Sequence, residues 1–147
     1  MNLYMETTQA NVGKTVSEIQ RVLSLYGATA VLIDYVEKEP DGISFRIPVG
    51  STEVPFRLPC RWTEVFKILS RRRIRVRDAE KLKDQARRVA WRQILRWVEA
   101  QLALVSTGMV KTEEVFMPYI QLSPKQTFFE RIQSQGWKFK QLTQGEE

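Results

Sequence analysis

The sequence predicts an α+β fold: a helix, a three-stranded antiparallel meander, a long basic helix and short C-terminal helices, in α-β-β-β-α-α order. Two observations carry this. The apolar period is helical over residues 15–26, gives way to strand-like runs and alternation over residues 28–58, and turns helical again from residue 62. Short turns separate the strands, which permits antiparallel pairing without crossovers. At 147 residues, 43% apolar and 27% charged, the chain reads as a single globular domain. We place that domain at 14–139, between a flexible arm over 1–13 and a tail over 140–147.

The first helix is expected from Thr15, where Thr15 and Glu18 have capping-box spacing. Val16, Ile19, Val22, Leu23 and Tyr26 form its apolar stripe, and Gly27 suits its C-terminal turn. Ala28 to Val36 is apolar and β-branched, which predicts a strand buried on both faces for part of its length. Glu39-Pro40-Asp41-Gly42 reads as the turn that follows, since Pro presets φ and Gly accepts a positive one. Ile43, Phe45, Ile47 and Val49 alternate with polar residues or Pro, as do Val54, Phe56 and Leu58. These are two strands with one wet face each, and Pro55 marks the second as an edge.

Trp62, Val65, Phe66 and Leu69 make a short amphipathic helix, followed by an arginine-rich loop over 70–77. From Asp78, a good N-cap, a long helix is expected to about Thr107. Its core stripe is Leu82, Ala86, Val89, Ala90, Ile94, Trp97, Val98, Leu102 and Val105. A short helix from Thr112 must distort at Pro118. Another is expected from Ser123-Pro124, ending at Gly136, with Trp137 and Phe139 docked behind it.

Charge is unevenly spread. Residues 61–96 hold 13 Lys or Arg against 4 Asp or Glu, a net +9, while the whole chain is only +6. The excess falls into two pieces. One is the loop carrying Arg71, Arg72, Arg73, Arg75 and Arg77. The other is a helical ladder of Lys81, Arg88, Arg92 and Arg96, which together with Gln85 recur every three or four residues. The ladder spans roughly 22 Å at 1.5 Å per residue. Arg suits phosphate because its planar fork donates two parallel hydrogen bonds. These nine residues are the candidate nucleic-acid contacts. Arg46 and Arg57 on the wet sheet face, and Trp91 as a base-stacking platform, are candidates to extend them. A solvated helix face, or pairing of the arginine loop with Glu37, Glu39 and Asp41, is the competing explanation.

Other chemistries are poorly served. Histidine is absent and Cys60 is the lone cysteine, so His-based triads, His-based metal sites and thiolate clusters are excluded. Gly13-Lys14-Thr15 mimics the end of a P-loop, but Thr8 stands where its first glycine belongs. No enzyme activity, cofactor or metal is expected. No apolar run approaches the roughly 20 residues needed to span a bilayer, and no signal peptide is visible.

Two resemblances add to this. The α-β-β-β-α order resembles the double-stranded-RNA-binding domain, whose lysine-rich start to the last helix would correspond loosely to Lys81-Leu82-Lys83-Asp84-Gln85-Ala86-Arg87-Arg88. About 20 extra residues intervene here between third strand and helix. The segments Thr15–Gln20, Tyr26–Ala30, Ile43–Ile47, Phe56–Pro59, Ala86–Arg92 and Trp97–Gln101 resemble a group of small uncharacterised bacteriophage and metagenomic proteins. That resemblance implies a phage or mobile-element origin and a bacterial cytoplasm, and no catalytic residues. The expected function is a non-catalytic nucleic-acid-binding accessory protein with little sequence specificity, with a replication or recombination role in view. The alternatives are a phage protein that binds and inhibits an acidic host or defence-system protein, and a structural or assembly component.

Overall fold

The computed structural model describes residues 2–72 and 78–139. The elements run α1 (Val12–Leu25), β1 (Ala30–Val36), β2 (Glu39–Val49), β3 (Thr52–Pro59), α2 (Trp62–Arg72), α3 (Ala79–Ser106) and α4 (Thr112–Val115). A 3₁₀ turn (Met117–Tyr119), a small hairpin of β4 (Gln121–Ser123) and β5 (Gln126–Thr127), and α5 (Phe128–Ser134) complete the chain. The fold is α+β as expected. The predicted tail, 140–147, lies outside the described residues.

The sheet has the order β1-β2-β3, antiparallel throughout. Its inner face carries Ile43, Phe45, Ile47, Phe56 and Leu58, all buried in one core with Ile19 and Leu23 of α1 and the apolar side of α3. Alternation put them there: each strand offers every second side chain to the helices. Phe45 and Phe56 stack with centroids 5.2 Å apart, and Phe116, from just after α4, packs edge-on against both. Trp97 meets Phe116 at 5.5 Å, so the C-terminal segment is fastened between sheet and α3. α3 packs against both α1 and α2. No helix among the described residues is long and apolar enough to cross a membrane.

Several local expectations need correction. The first hairpin does not reverse at Pro40–Gly42. It turns at Glu37 and Lys38, with φ of 51° and 67°. Two positive φ values give the type I′ twist that a two-residue hairpin favours. Pro40, Asp41 and Gly42 lie within β2, where Asp41 is the extra residue of a bulge, since Asp34 opposes Gly42 and Tyr35 opposes Pro40. Gly42 is required by space: a Cβ there would sit 3.3 Å from the Leu58 carbonyl oxygen and 3.4 Å from the Asp34 carboxylate.

β1 is buried on one face only, because Leu32 points to the open side of the sheet and is 63% exposed. α1 starts at Val12, with Asn11 as its cap. Thr15 is fully buried and Glu18 is engaged elsewhere, so they form no capping box. α5 starts after Thr127, whose side chain and that of Glu130 cap it reciprocally, rather than at Ser123-Pro124. Trp137 and Phe139 stay largely exposed, Trp137 touching only the Phe129 ring edge-on among the aromatic contacts.

Candidate nucleic-acid interface

The basic segment is built on α2 and α3. α2 runs three residues further than the loop reading implied, so Arg71 and Arg72 are helical and occupy its last turn, where cations suit the exposed carbonyls. Arg73, Arg75 and Arg77 lie outside the described residues. Asp78 then caps α3 by accepting from the backbone N–H groups of Glu80 and Lys81. Lys81 stands exposed on the first turn.

The middle of the ladder, Arg88 and Arg92, is not a solvated face. It is the side of α3 on which α1 and the N-terminal arm dock. Arg92 is only 14% exposed, donates to Glu18 of α1 at 3.2 Å, and lies 3.4 Å from the Thr15 hydroxyl. Arg88 donates twice to the side-chain oxygen of Gln85, at 3.0 and 2.7 Å. The Gln85 amide donates in turn to the carbonyls of Glu6 and Thr8. Gln93 holds the Tyr4 carbonyl at 2.8 Å. The arm thus lies along α3. Arg96, nearer the helix end, makes an exposed pair with Glu99 at 2.9 Å.

Glu6 joins the two halves of the basic segment. Its carboxylate pairs with Arg72 at 3.0 Å while its carbonyl binds Gln85. The end of α2 and the first half of α3 therefore lie on the same side of the molecule, with one carboxylate set between them. Among the described residues no carboxylate pairs with Arg71 or Lys81.

The proposed extensions fare differently. Arg57 is taken by Asp34 at 3.2 Å, and Arg46 lies 3.7 Å from Glu53 with both side chains about half exposed. Trp91 is no stacking platform. It is fully buried, and its indole N–H donates to the Pro40 carbonyl at 3.3 Å. The sequence placed Trp91 on the flank of α3 because a single stripe was assumed. A helix packed by sheet, α1 and α2 buries more of its circumference than one stripe.

Arg87 was not singled out in the sequence. It lies over the Trp62 ring at 4.2 Å, pairs with Asp84 at 3.2 Å, and is 12% exposed. Among the described residues its Nε has no hydrogen-bond partner. The pattern left one clue: Arg87 follows core residue Ala86 directly, at the edge of the apolar stripe.

The segment Pro59-Cys60-Arg61 offers no chemistry. Burial, aided by Asp41, pushes the Cys60 thiol up to about 12, so no thiolate forms near neutrality. No group of three His, Cys, Asp or Glu that could hold a metal ion occurs among the described residues. No family model, no curated protein and no solved structure matches the chain.

Proposed function

We propose that this chain is a non-catalytic nucleic-acid-binding accessory protein, of phage or mobile-element origin, that holds a phosphate backbone at the α2–α3 junction. Residues 71–83 carry seven Lys or Arg against two Asp or Glu. The observation that carries the reading is the position of Glu6 between Arg72 and Gln85, which brings both halves of the basic segment to one side. Arg71, Arg72 and Lys81 are the contacts on the described residues, with Arg73, Arg75 and Arg77 between them in sequence. Arg88 and Arg92 are partly buried and held by Gln85 and Glu18, and serve the fold. With contacts to phosphate and, among the described residues, no side chain set to read base edges, binding discriminates little between sequences.

The test is fluorescence anisotropy with single- and double-stranded DNA and RNA at two salt concentrations. Affinity should fall by roughly 0.7–0.9 log units per log unit of salt for each phosphate contact. Arg71→Glu/Lys81→Glu should weaken binding at least about tenfold and lower the salt slope by roughly 1–2, one for each lost contact. Absence of binding at low salt, or a flat salt response, refutes the reading. A stoichiometric protein partner that survives nuclease treatment and is lost in the same variant would replace it with recognition of an acidic protein surface.

A further inference from the structure

β1 is the open edge of the sheet. β2 flanks it on one side, and among the described residues no strand lies on the other. An edge strand presents a row of backbone donors and acceptors that any extended chain can use, and natural edges are blunted by Pro, Lys or coverage. The opposite edge is blunted in this way: β3 carries Pro55 and Pro59, and Ile120 bridges to Phe56. β1 has neither Pro nor Lys in its seven residues. Leu32, Tyr35 and Val36 are all more than half exposed. Its single charge, Asp34, is met within the sheet by Arg57 through one carboxylate oxygen, Oδ2, so its Oδ1 still has room for a second cation.

We propose that β1 pairs antiparallel with β1 of a second copy, centred on Leu32, so that two chains share one continuous six-stranded sheet. A strand meeting itself antiparallel satisfies a two-fold axis, the geometry of a closed homodimer. The side chains choose the register. Centring on Asp34 would set two carboxylates directly opposite each other, which is unfavourable. Centring on Ile33 would set each Asp34 against a leucine.

Centring on Leu32 sets Leu32 against Leu32, Val31 against Ile33, and Ala30 against Asp34. Val31 and Ile33 already pack against the core, so their pairing extends it across the axis. On the open face, Ala30 lies beside Arg46 of β2. Only the Ala30 methyl then separates Arg46 from the Asp34 of the second copy, two strand spacings or about 9.6 Å away. Arg46 reaches over it readily. Its present contact with Glu53 is long and half exposed, so little is lost by turning. By symmetry the contact forms twice. This charge complementarity is what favours a second copy over an unrelated extended peptide, which would find only the backbone groups and Leu32.

Sedimentation velocity of the full chain from about 1 to 100 µM should show the mass of two chains, growing with concentration. Leu32→Lys sets like charges on the axis and should raise the dimer dissociation constant by at least about 100-fold, with an unchanged circular dichroism spectrum. Leu32→Cys provides a register-specific check that needs no loss of folding. Cα atoms directly opposite in an antiparallel pair are about 4.5–5.5 Å apart, within disulfide reach. Mild oxidation should convert most of that variant to a covalent dimer, whereas Ser51→Cys, at an exposed turn, should remain monomeric on a non-reducing gel. The native Cys60 is buried and stays silent. A monomer throughout the range overturns the proposal, as does a dimer that survives Leu32→Lys. Equal crosslinking of the two cysteine variants, or a monomer that captures a different protein at β1, overturns it too.

Discussion

Arg92 distinguishes a ligand contact from a structural one. Arg92→Met keeps the aliphatic stem that packs between α1 and α3 and removes the charge that pairs with Glu18. An exposed ion pair is worth at most about 1 kcal/mol, and breaking a fully buried one costs about 3–5 kcal/mol. Arg92 is 14% exposed and Glu18 35%, so this pair falls between those limits. We expect a loss of about 2 kcal/mol, or about 7 °C in Tm for a chain of this length. Glu18→Gln should cost less, because its amide oxygen still accepts from the guanidinium. The double variant should then lose less than the two singles combined, with a coupling of about 1 kcal/mol. Thermal and urea melts supply these values, and anisotropy on the folded variants should show unchanged nucleic-acid affinity. If Arg92→Met leaves Tm within about 1 °C and instead abolishes binding, Arg92 faces the ligand and the assignment of the ladder to the α1–α3 contact fails.

Three further outcomes follow from particular contacts. Glu6→Gln removes the carboxylate held by Arg72 but keeps the carbonyl that binds Gln85; it should strengthen polyanion binding about three- to tenfold at low salt, by anisotropy, and weaker binding would contradict the proposed surface. Cys60, with its thiol pushed up to about 12, should react with an alkylating reagent at pH 8 at least about 100-fold more slowly in the native chain than in denaturant, by mass spectrometry. The backbone and hydroxyl of Thr127 donate to Glu130 at 3.0 and 2.9 Å and hold its carboxyl below the ordinary value. A depressed folded pKa contributes stability above the unfolded carboxyl pKa and loses it as pH falls through the folded one. Thr127→Ala should therefore cost about 1 kcal/mol near pH 7 and progressively less in acid, read from urea melts at the two pH values.

The strands were legible because alternation has one physical cause: Ile43, Phe45 and Ile47 face the helices, and so do Phe56 and Leu58. The start of α3 was equally plain, since Asp78 caps within its own neighbourhood. What escaped depends on partners distant in sequence. Arg92 and Glu18 are 74 residues apart, and nothing local separates an arginine that meets such a partner from one that meets water. Thr15 and Glu18 had capping spacing, but the cap formed at Asn11 and α1 presented both residues to α3. At the first hairpin, Pro40 and Gly42 carried the stronger turn chemistry, and the reversal nevertheless falls on Glu37-Lys38. Of the candidate site, only the concentration of charge was legible in the sequence. Which arginines remain outward was fixed by the docking of α1 and the arm.

That docking also bears on how the chain folds. The hairpins and the α2–α3 pair join elements adjacent in sequence, so closing them costs little chain entropy. The bonds from α3 to α1 and the arm span 74 to 89 residues. They are the clasp that closes the two ends of the fold on each other. In a search governed by loop closure the clasp is fastened after the local pieces. Its loosening should then appear in the unfolding arm of a chevron, leaving the folding rate nearly untouched.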